Sequence, residues 1–155
     1  DGPAGAVSLA NRLRRAGLPA ERRSDYLYRP YRFGDAGPLC FFRDDRLSDL
    51  IGFEYARWHS HEAAASFVTE LEAIAAAAPA DETPLVAVIL DGENCWEFYP
   101  YNGFYFLEAL YGRLESHPSI SMCSFAETVS RAPVAGRPPA RVRELPPLAA
   151  GRWVY

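Results

Sequence analysis

The sequence PLVAVIL at residues 84–90 is followed at once by Asp91-Gly92-Glu93-Asn94. Six consecutive apolar residues after Pro84 are typical of a strand that is buried on both faces of a parallel sheet. A second apolar run, PLCFFR at residues 38–43, is also predicted to be a strand, and it is followed by two aspartates. Because ligands of α/β folds bind at the carboxyl ends of the strands, both polar stretches are candidate sites.

Helical patterns alternate with these strands. Apolar spacing predicts helices over residues 5–16, 46–53, 60–78 and 103–116, a weaker strand over 119–125 and a short helix near 126–131. Gly17 is predicted to stop the first helix. Ser60 is predicted to be the N-cap of the Ala-rich helix, and Pro79 to end it. The alternation predicts an α/β architecture with a parallel sheet. Three strands cannot close a barrel, so we expect a part of a larger one.

Composition excludes several classes of protein. The 155 residues are 49% hydrophobic and 23% charged, which argues against disorder. A net charge of −4 disfavours a general nucleic-acid binder. All sixteen basic residues are arginine, so lysine chemistry is excluded. No apolar run is long enough for a membrane span, and no signal peptide is visible. Three widely spaced cysteines predict a reducing, cytoplasmic location.

Asp91 is the best placed acid in the chain. A carboxylate directly after a buried strand is held by a rigid element and still faces the cleft. Glu93 can hydrogen-bond to it or to a hydroxyl-rich ligand. Trp96 and Tyr99 lie close by in sequence, and aromatic rings beside carboxylates suit a carbohydrate, whose C–H faces pack on the rings. The alternatives are a structural cap at Asp91 and core positions for both aromatic residues.

Arg43 and Asp44 are the next candidates, because they follow the other predicted strand. An arginine at a strand end can orient carboxylates or bind sugar hydroxyls. An ion pair of Arg43 with Asp49 or Glu54 is an equally good interpretation. The pair of histidines in HSH (residues 59–61) is interpreted as exposed, so no metal and no cofactor is predicted.

Two long strings now carry a family resemblance. FFRDDRLSDLIGFEYARW at residues 41–58 and VILDGENCWEFYPYNGFYFLEALYGRL at residues 88–114 resemble glycoside hydrolase family 57. The resemblance covers roughly residues 25–153. That family contains α-glucan-active amylases, amylopullulanases, branching enzymes and glucanotransferases, and the strings most resemble its amylopullulanase-like branch.

The resemblance implies a fold and a mechanism. The fold is an incomplete (β/α) barrel of seven strands followed by a helical region. The mechanism is retaining, with a Glu nucleophile and an Asp general acid/base, and Asp91 matches the acid/base of the Asp-Gly-Glu motif. The nucleophile belongs to an earlier motif that nothing here matches. We therefore expect residues 1–132 to be the C-terminal portion of the catalytic barrel, and residues 133–155 to be a Pro/Arg-rich linker that leads to a C-terminal segment.

The expected function is a retaining glycosidase or transglycosylase of α-glucans that lacks its nucleophile. Its partners would be an α-glucan or oligosaccharide and the missing N-terminal half of the same domain, with no nucleic acid and no membrane. Two rivals stay open. One is a non-catalytic carbohydrate-binding α/β domain, and the other is an α/β enzyme that uses Asp91, Glu93 and a divalent metal.

Overall fold

The computed structural model describes residues 4–92, 95–129 and 142–145, which form a mixed α/β fold. The helices are α1 (Ala4–Arg15), α2 (Arg23–Tyr26), α3 (Asp45–Asp49), α4 (Ser60–Ala77), α5 (Phe104–Glu115) and α6 (Phe125–Val129). A π-helical turn (Leu50–Glu54) and a 3-10 turn (Tyr55–Arg57) continue α3, and another 3-10 turn (Pro100–Gly103) leads into α5. The strands are β1 (Tyr31–Arg32), β2 (Leu39–Cys40) and β3 (Arg143–Glu144).

The first helix ends where the sequence predicts. Gly17 adopts a left-handed conformation with φ of +73°, which a glycine reaches without a Cβ clash. The Leu18 amide donates to the Leu13 carbonyl at 2.9 Å, and the Gly17 amide donates to the Arg14 carbonyl at 3.0 Å. These two hydrogen bonds form a Schellman motif, which satisfies carbonyls at the end of α1.

The two long helices α4 and α5 pack against each other, and both lie within a residue of their predicted bounds. The buried residues include Phe67 and Val68 on α4 and Phe106 and Leu110 on α5. The predicted cap is wrong by one residue. His59 is the N-cap of α4 and makes no capping hydrogen bond with its side chain, and Ser60 is already helical.

The sheet has three short strands in the order β2-β1-β3. β1 pairs antiparallel with β2 and parallel with β3. The predicted strand over residues 38–43 is therefore present only as its two-residue part β2. β3 lies inside residues 133–155, which the sequence predicts to be a linker. Residues 143–145 are instead part of the fold, because Leu145 is buried and its amide donates to the Arg32 carbonyl at 2.8 Å.

The predicted strand at residues 84–90 forms a single parallel bridge, between Ala87 and Arg43, and is otherwise irregular. The bridge shows that the two predicted parallel segments do lie side by side. A regular strand needs a row of ladder partners, and here the bonds are scattered. The Leu85 amide donates to the Tyr28 carbonyl at 2.9 Å, whereas the Ile89 amide reaches only the Ser48 hydroxyl, at 3.4 Å.

The remaining fold predictions have mixed outcomes. Residues 119–124 carry no strand, and α6 begins at Phe125. The predicted boundary between residues 132 and 133 lies outside the described residues. The described strands make one small sheet, so a barrel remains a proposal. No helix among the described residues has the length and apolar character that crossing a membrane requires.

Candidate active site

Asp91 lies four residues beyond the bridge between the two parallel segments. The bridge is reinforced by a hydrogen bond from the Asp44 amide to the Ala87 carbonyl, at 2.9 Å. Asp91 and Gly92 are both exposed. Glu93 lies outside the described residues. The structure thus places the predicted acid on an exposed turn at the carboxyl end of the segment, close along the chain to its anchoring bridge.

Asp44 is the best anchored of the predicted site residues, and its side chain is fully buried. Its Oδ1 accepts a hydrogen bond from the Leu47 amide at 3.0 Å, so Asp44 is the N-cap of α3. Its Oδ2 accepts the hydroxyl of Tyr28 at 2.8 Å. Its carbonyl oxygen accepts the hydroxyl of Ser48 at 2.7 Å. Asp44 therefore ties α3 to the chain before β1 and to the segment that carries Asp91.

The charge of this buried carboxylate is balanced by Arg23. The Arg23 guanidinium lies 3.2 Å from Asp44 and 2.6 Å from Asp45. Burial disfavours the charged guanidinium, but the hydrogen bond and the attraction of both aspartates outweigh it and raise the pKa of Arg23. Burial also works against the charged form of Asp45, yet its hydrogen bond to Arg23 holds the pKa of Asp45 below its usual value.

The Tyr28 hydroxyl remains a hydrogen-bond donor throughout the working pH range. Burial raises the pKa of Tyr28, and its hydrogen bond to Asp44 raises it further. We call the four interlocked side chains of Arg23, Tyr28, Asp44 and Ser48 the Asp44 cluster. Sequence reasoning missed Arg23 and Tyr28 because they lie more than fifteen residues from Asp44. No motif near any of the three residues predicts that their side chains pair.

Arg43 pairs with Asp49, as the alternative interpretation had it. The Arg43 Nη2 donates to the Asp49 carboxylate at 2.8 Å, and both side chains are partly exposed. The Arg43 Nε is buried and has no hydrogen-bond partner among the described residues. A buried donor without an acceptor is costly, so this N–H lowers the stability of the arrangement.

The two predicted aromatic residues face the interior. Trp96 is partly buried and packs on Tyr99 and Phe106, at ring-centroid distances of 5.5 and 6.2 Å. Tyr99 is buried, and its hydroxyl donates to the Ile51 carbonyl at 2.5 Å. We call Trp96, Tyr99 and Phe106 the inner rings. They join the turn after Asp91 to the core, and whether Trp96 or Tyr99 also meets a substrate stays a prediction.

Four other aromatic residues of the same region are exposed, and sequence reasoning did not single them out. We call them the outer rings: Phe98, Tyr101, Phe104 and Tyr105. Tyr101 packs edge-on against Tyr105 at 5.2 Å, and Phe104 does the same at 5.2 Å. Of these four residues only Tyr101 stands in a turn signal, the run Pro100-Tyr101-Asn102-Gly103.

Comparison with known proteins identifies the family. The model of glycosyl hydrolase family 57 matches residues 10–141, which is most of the chain. The chain belongs to glycosyl hydrolase family 57. No curated protein and no solved structure gives a significant match to it. The expected resemblance to family 57 is therefore confirmed, and the general class is that of a glycosidase or transglycosylase.

The family 57 match encloses every predicted site residue, from Arg43 to Tyr99. The histidines of the HSH motif are both exposed, and their rings stack at 5.8 Å. Within the part of the chain that the structure describes, no three His, Cys, Asp or Glu side chains group in a way that could hold a metal ion.

Proposed function

We propose that the chain is the acid/base-bearing part of a retaining family 57 enzyme that hydrolyses or transfers α-glucans. The observation that carries the proposal is the position of Asp91. It stands in an Asp-Gly-Glu motif inside the matched residues, at the carboxyl end of a segment that runs parallel to the one ending at Arg43. Strand-end carboxylates in this position are typical of glycosidases built on α/β barrels.

In the proposed mechanism Asp91 works twice. It first donates its proton to the glycosidic oxygen of the leaving sugar while a nucleophilic carboxylate attacks the anomeric carbon from the other side. It then takes a proton from water, which gives hydrolysis, or from a hydroxyl of an acceptor sugar, which gives transfer. The exposure of Asp91 agrees with a group that must meet two different sugar oxygens in turn.

The supporting roles follow from the contacts. The Asp44 backbone amide donates to the Ala87 carbonyl, so the Asp44 cluster, which fixes Asp44, is proposed to position the turn that carries Asp91. Arg43 is proposed to hold Asp49 through its Nη2 and to present the exposed part of its guanidinium to a sugar hydroxyl or to a catalytic carboxylate. Glu93 is proposed to assist Asp91 because the resemblance places it in the same motif. We propose no metal and no cofactor for this chemistry.

The nucleophile is proposed to come from an N-terminal half of the same catalytic domain. A retaining pair of carboxyl groups must lie about 5–5.5 Å apart, so the second half would dock beside Asp91. The segment 84–90 supports this arrangement. Val86 and Val88 pack against the core, whereas the Ile89 side chain is 40% exposed. In a complete parallel sheet this side chain would be buried by a neighbouring element.

One comparison tests the proposal. Maltoheptaose is given to the 155-residue chain and to the product of the same reading frame extended upstream of Asp1. We expect the chain alone to be inactive and the extended product to release shorter glucans. In the extended product, Asp91→Asn is expected to lower turnover by about 10²–10⁴-fold, the usual contribution of a general acid/base. Glu108→Gln, an exposed carboxylate on α5, is the matched control and should leave turnover within about twofold of the parent.

Two results would overturn the proposal. The first is turnover by the extended product that Asp91→Asn leaves unchanged. The second is turnover by the 155-residue chain itself that is equally insensitive to Asp91→Asn, because the nucleophile and the acid/base would then both lie elsewhere. An extended product that binds maltoheptaose without cleaving it would favour the rival function instead.

That rival is a non-catalytic carbohydrate-binding α/β domain, and the outer rings are the observation that favours it. Exposed aromatic rings beside acids suffice to bind a glucan weakly. For either function we propose a reducing, cytoplasmic setting. The described cysteines Cys40, Cys95 and Cys123 are all free, which agrees with such a compartment.

A further inference from the structure

The turn between Asp91 and α5 contains an unusual run of backbone conformations. Tyr101 and Asn102 both have φ of +53°, and Gly103 follows with φ of +79°. Asparagine and glycine visit this left-handed region readily, but a tyrosine there is uncommon, because its Cβ approaches the following carbonyl. Among the described residues, Tyr101 and Asn102 are the two non-glycine positions with positive φ.

The turn is held in this conformation by the inner rings. The Asn102 amide donates to the Tyr99 carbonyl at 3.1 Å, and the Tyr99 amide donates to the Trp96 carbonyl at 3.0 Å. The Trp96 ring lies against Gly103 so closely that an added Cβ would come within 3.0 Å of it. These two hydrogen bonds and the contact of Trp96 with Gly103 therefore hold Tyr101 and Asn102 in the left-handed conformation.

The consequence of the strain is a presented ring. Tyr101 is 76% exposed, so burial of its ring in the core does not offset the energetic cost of its backbone conformation. Tyr105 is the second residue of α5 and meets the Tyr101 ring edge-on, with interplanar angle 90° and centroids 5.2 Å apart. This contact restricts the Tyr101 ring, most of which stays exposed to solvent. Strained positions that the fold over-determines concentrate at ligand-binding sites.

We propose that Tyr101, braced by Tyr105, is a stacking platform for one pyranose ring of an α-glucan bound beside Asp91. The inference rests on the proposed function for the identity of the ligand. A sugar is the occupant because the chain belongs to a family of glycosidases and the platform lies ten residues from the proposed acid, in the same connection. The apolar C–H face of a pyranose covers an aromatic ring, and its hydroxyls at the rim stay in contact with water or with carboxylates.

The proposal assigns the stacking role to an outer ring. Tyr99, which sequence reasoning selected, is buried, and its hydroxyl is already bound to the Ile51 carbonyl. The inner rings then have the separate task of holding the turn. A single connection thus carries two sets of aromatic side chains with different duties.

The test is calorimetric titration of the 155-residue chain with maltoheptaose. Tyr101→Asn removes the ring and installs a residue that tolerates the left-handed region, so binding can be lost without harm to the fold. We expect the Kd to rise about five- to tenfold, in the range of a typical ring contact. Tyr101→Phe keeps the ring and should stay within about twofold of the wild type. Tyr111→Asn removes an equally polar ring that is 52% exposed on α5, and it should also stay within about twofold.

A second variant protects the test against an effect on folding. Tyr105→Ala removes the brace and leaves the strained turn in place, so it should weaken binding less than Tyr101→Asn does. Each variant is also checked for its melting temperature and its size in solution. The proposal is overturned when the wild type does not bind maltoheptaose, when Tyr101→Asn binds as the wild type does, or when Tyr101→Asn instead changes the size of the particle, which would make the patch an interface between copies.

These outcomes are separate from those of the proposed function. Catalysis is judged by Asp91→Asn in the extended product, whereas stacking is judged by binding to the chain. Tyr101→Asn binding like the wild type, together with an effect of Asp91→Asn on turnover, would remove the platform and keep the enzyme. Weakened binding of Tyr101→Asn, together with no effect of Asp91→Asn, would keep the platform on a non-catalytic domain.

Discussion

Replacing Asp44 by alanine should destabilise the protein more than any exposed carboxylate can. The side chain has no solvent exposure and accepts from three donors: the Tyr28 hydroxyl, the Arg23 guanidinium and the Leu47 amide. The alanine variant loses the N-cap of α3 and leaves the tyrosine hydroxyl buried without an acceptor. Loss of a helix cap and burial of an unpaired polar group both produce large losses of stability.

The magnitude follows from these contacts. Loss of an N-cap costs about 1 kcal/mol. A buried hydroxyl without its partner costs about 1–3 kcal/mol. The loss of the Arg23 contact adds little to this destabilisation, because Arg23 keeps its ion pair with Asp45 at 2.6 Å. The free energy of unfolding should therefore fall by about 3 kcal/mol. For a domain of this size, each kcal/mol corresponds to about 2–4 °C, so the melting temperature should fall by about 6–12 °C.

The assay is thermal and urea denaturation followed by circular dichroism. Asp49→Ala is the matched control, because Asp49 forms a partly exposed ion pair with Arg43. Exposed pairs contribute about 0–1 kcal/mol, so this variant should melt within about 4 °C of the wild type. Tyr28→Phe removes the hydroxyl and completes a double-mutant cycle with Asp44→Ala. The double variant should lose less than the two single losses together, because no orphaned hydroxyl remains.

Two results would refute this reasoning. An Asp44→Ala variant that melts as close to the wild type as Asp49→Ala does would show that the buried carboxylate adds no net stability. A cycle in which the losses at Tyr28 and Asp44 simply add would show that their 2.8 Å contact carries no coupling energy. In either case the side chains of the Asp44 cluster would not stabilise the fold in the way proposed here.

Three further predictions test other parts of the structure. Tyr101→Asn should raise the melting temperature by about 2–4 °C, because relief of the left-handed strain is worth about 1 kcal/mol, and a fall would contradict the strain argument. The pKa of Asp45 is depressed in the fold, so its contribution to stability is present above its unfolded value of 3.8 and is lost as the pH falls below it. Urea denaturation between pH 2 and 6 should show this loss of stability in the wild type, and Asp45→Asn should reduce it. An equal pH dependence in both proteins would exclude Asp45 as a source of the acid-induced loss of stability. Asp91→Asn should melt within about 1 °C of the wild type, because Asp91 is exposed, and a larger loss would indicate that this residue is a structural cap.

The helices could be predicted from sequence because their signals are local. The bounds of α4 and α5 follow from apolar residues three and four positions apart, and the end of α1 follows from Gly17. The predicted strands were less successful because a strand exists only where a partner lies beside it. The run at residues 84–90 has the composition of a buried strand, but its partners supply one bridge and a few scattered hydrogen bonds.

The candidate site shows the same division. Asp91 and Asp44 were found because each follows an apolar run, and position along the chain is enough to find them. The burial of Asp44 could not be found, because Tyr28 and Arg23 approach it from a distant part of the chain. The exposure of Tyr101 could not be found either, because an aromatic residue in sequence is equally consistent with the core.

One hydrogen bond, from the Asp44 amide to the Ala87 carbonyl, connects the stabilising Asp44 cluster with the segment that carries the proposed acid. The Asp44 amide donates to the carbonyl of Ala87, four residues before Asp91, so we expect a disturbed cluster to shift the proposed acid. A small displacement of a catalytic group is costly to the reaction and has little effect on the binding of a sugar at Tyr101. In an active extended product, Tyr28→Phe should therefore lower kcat and leave KM nearly unchanged, whereas Tyr101→Asn should act mainly on KM. The opposite pattern would mean that the cluster supports the sugar platform instead of the acid, and would separate Asp91 from the anchor assigned to it.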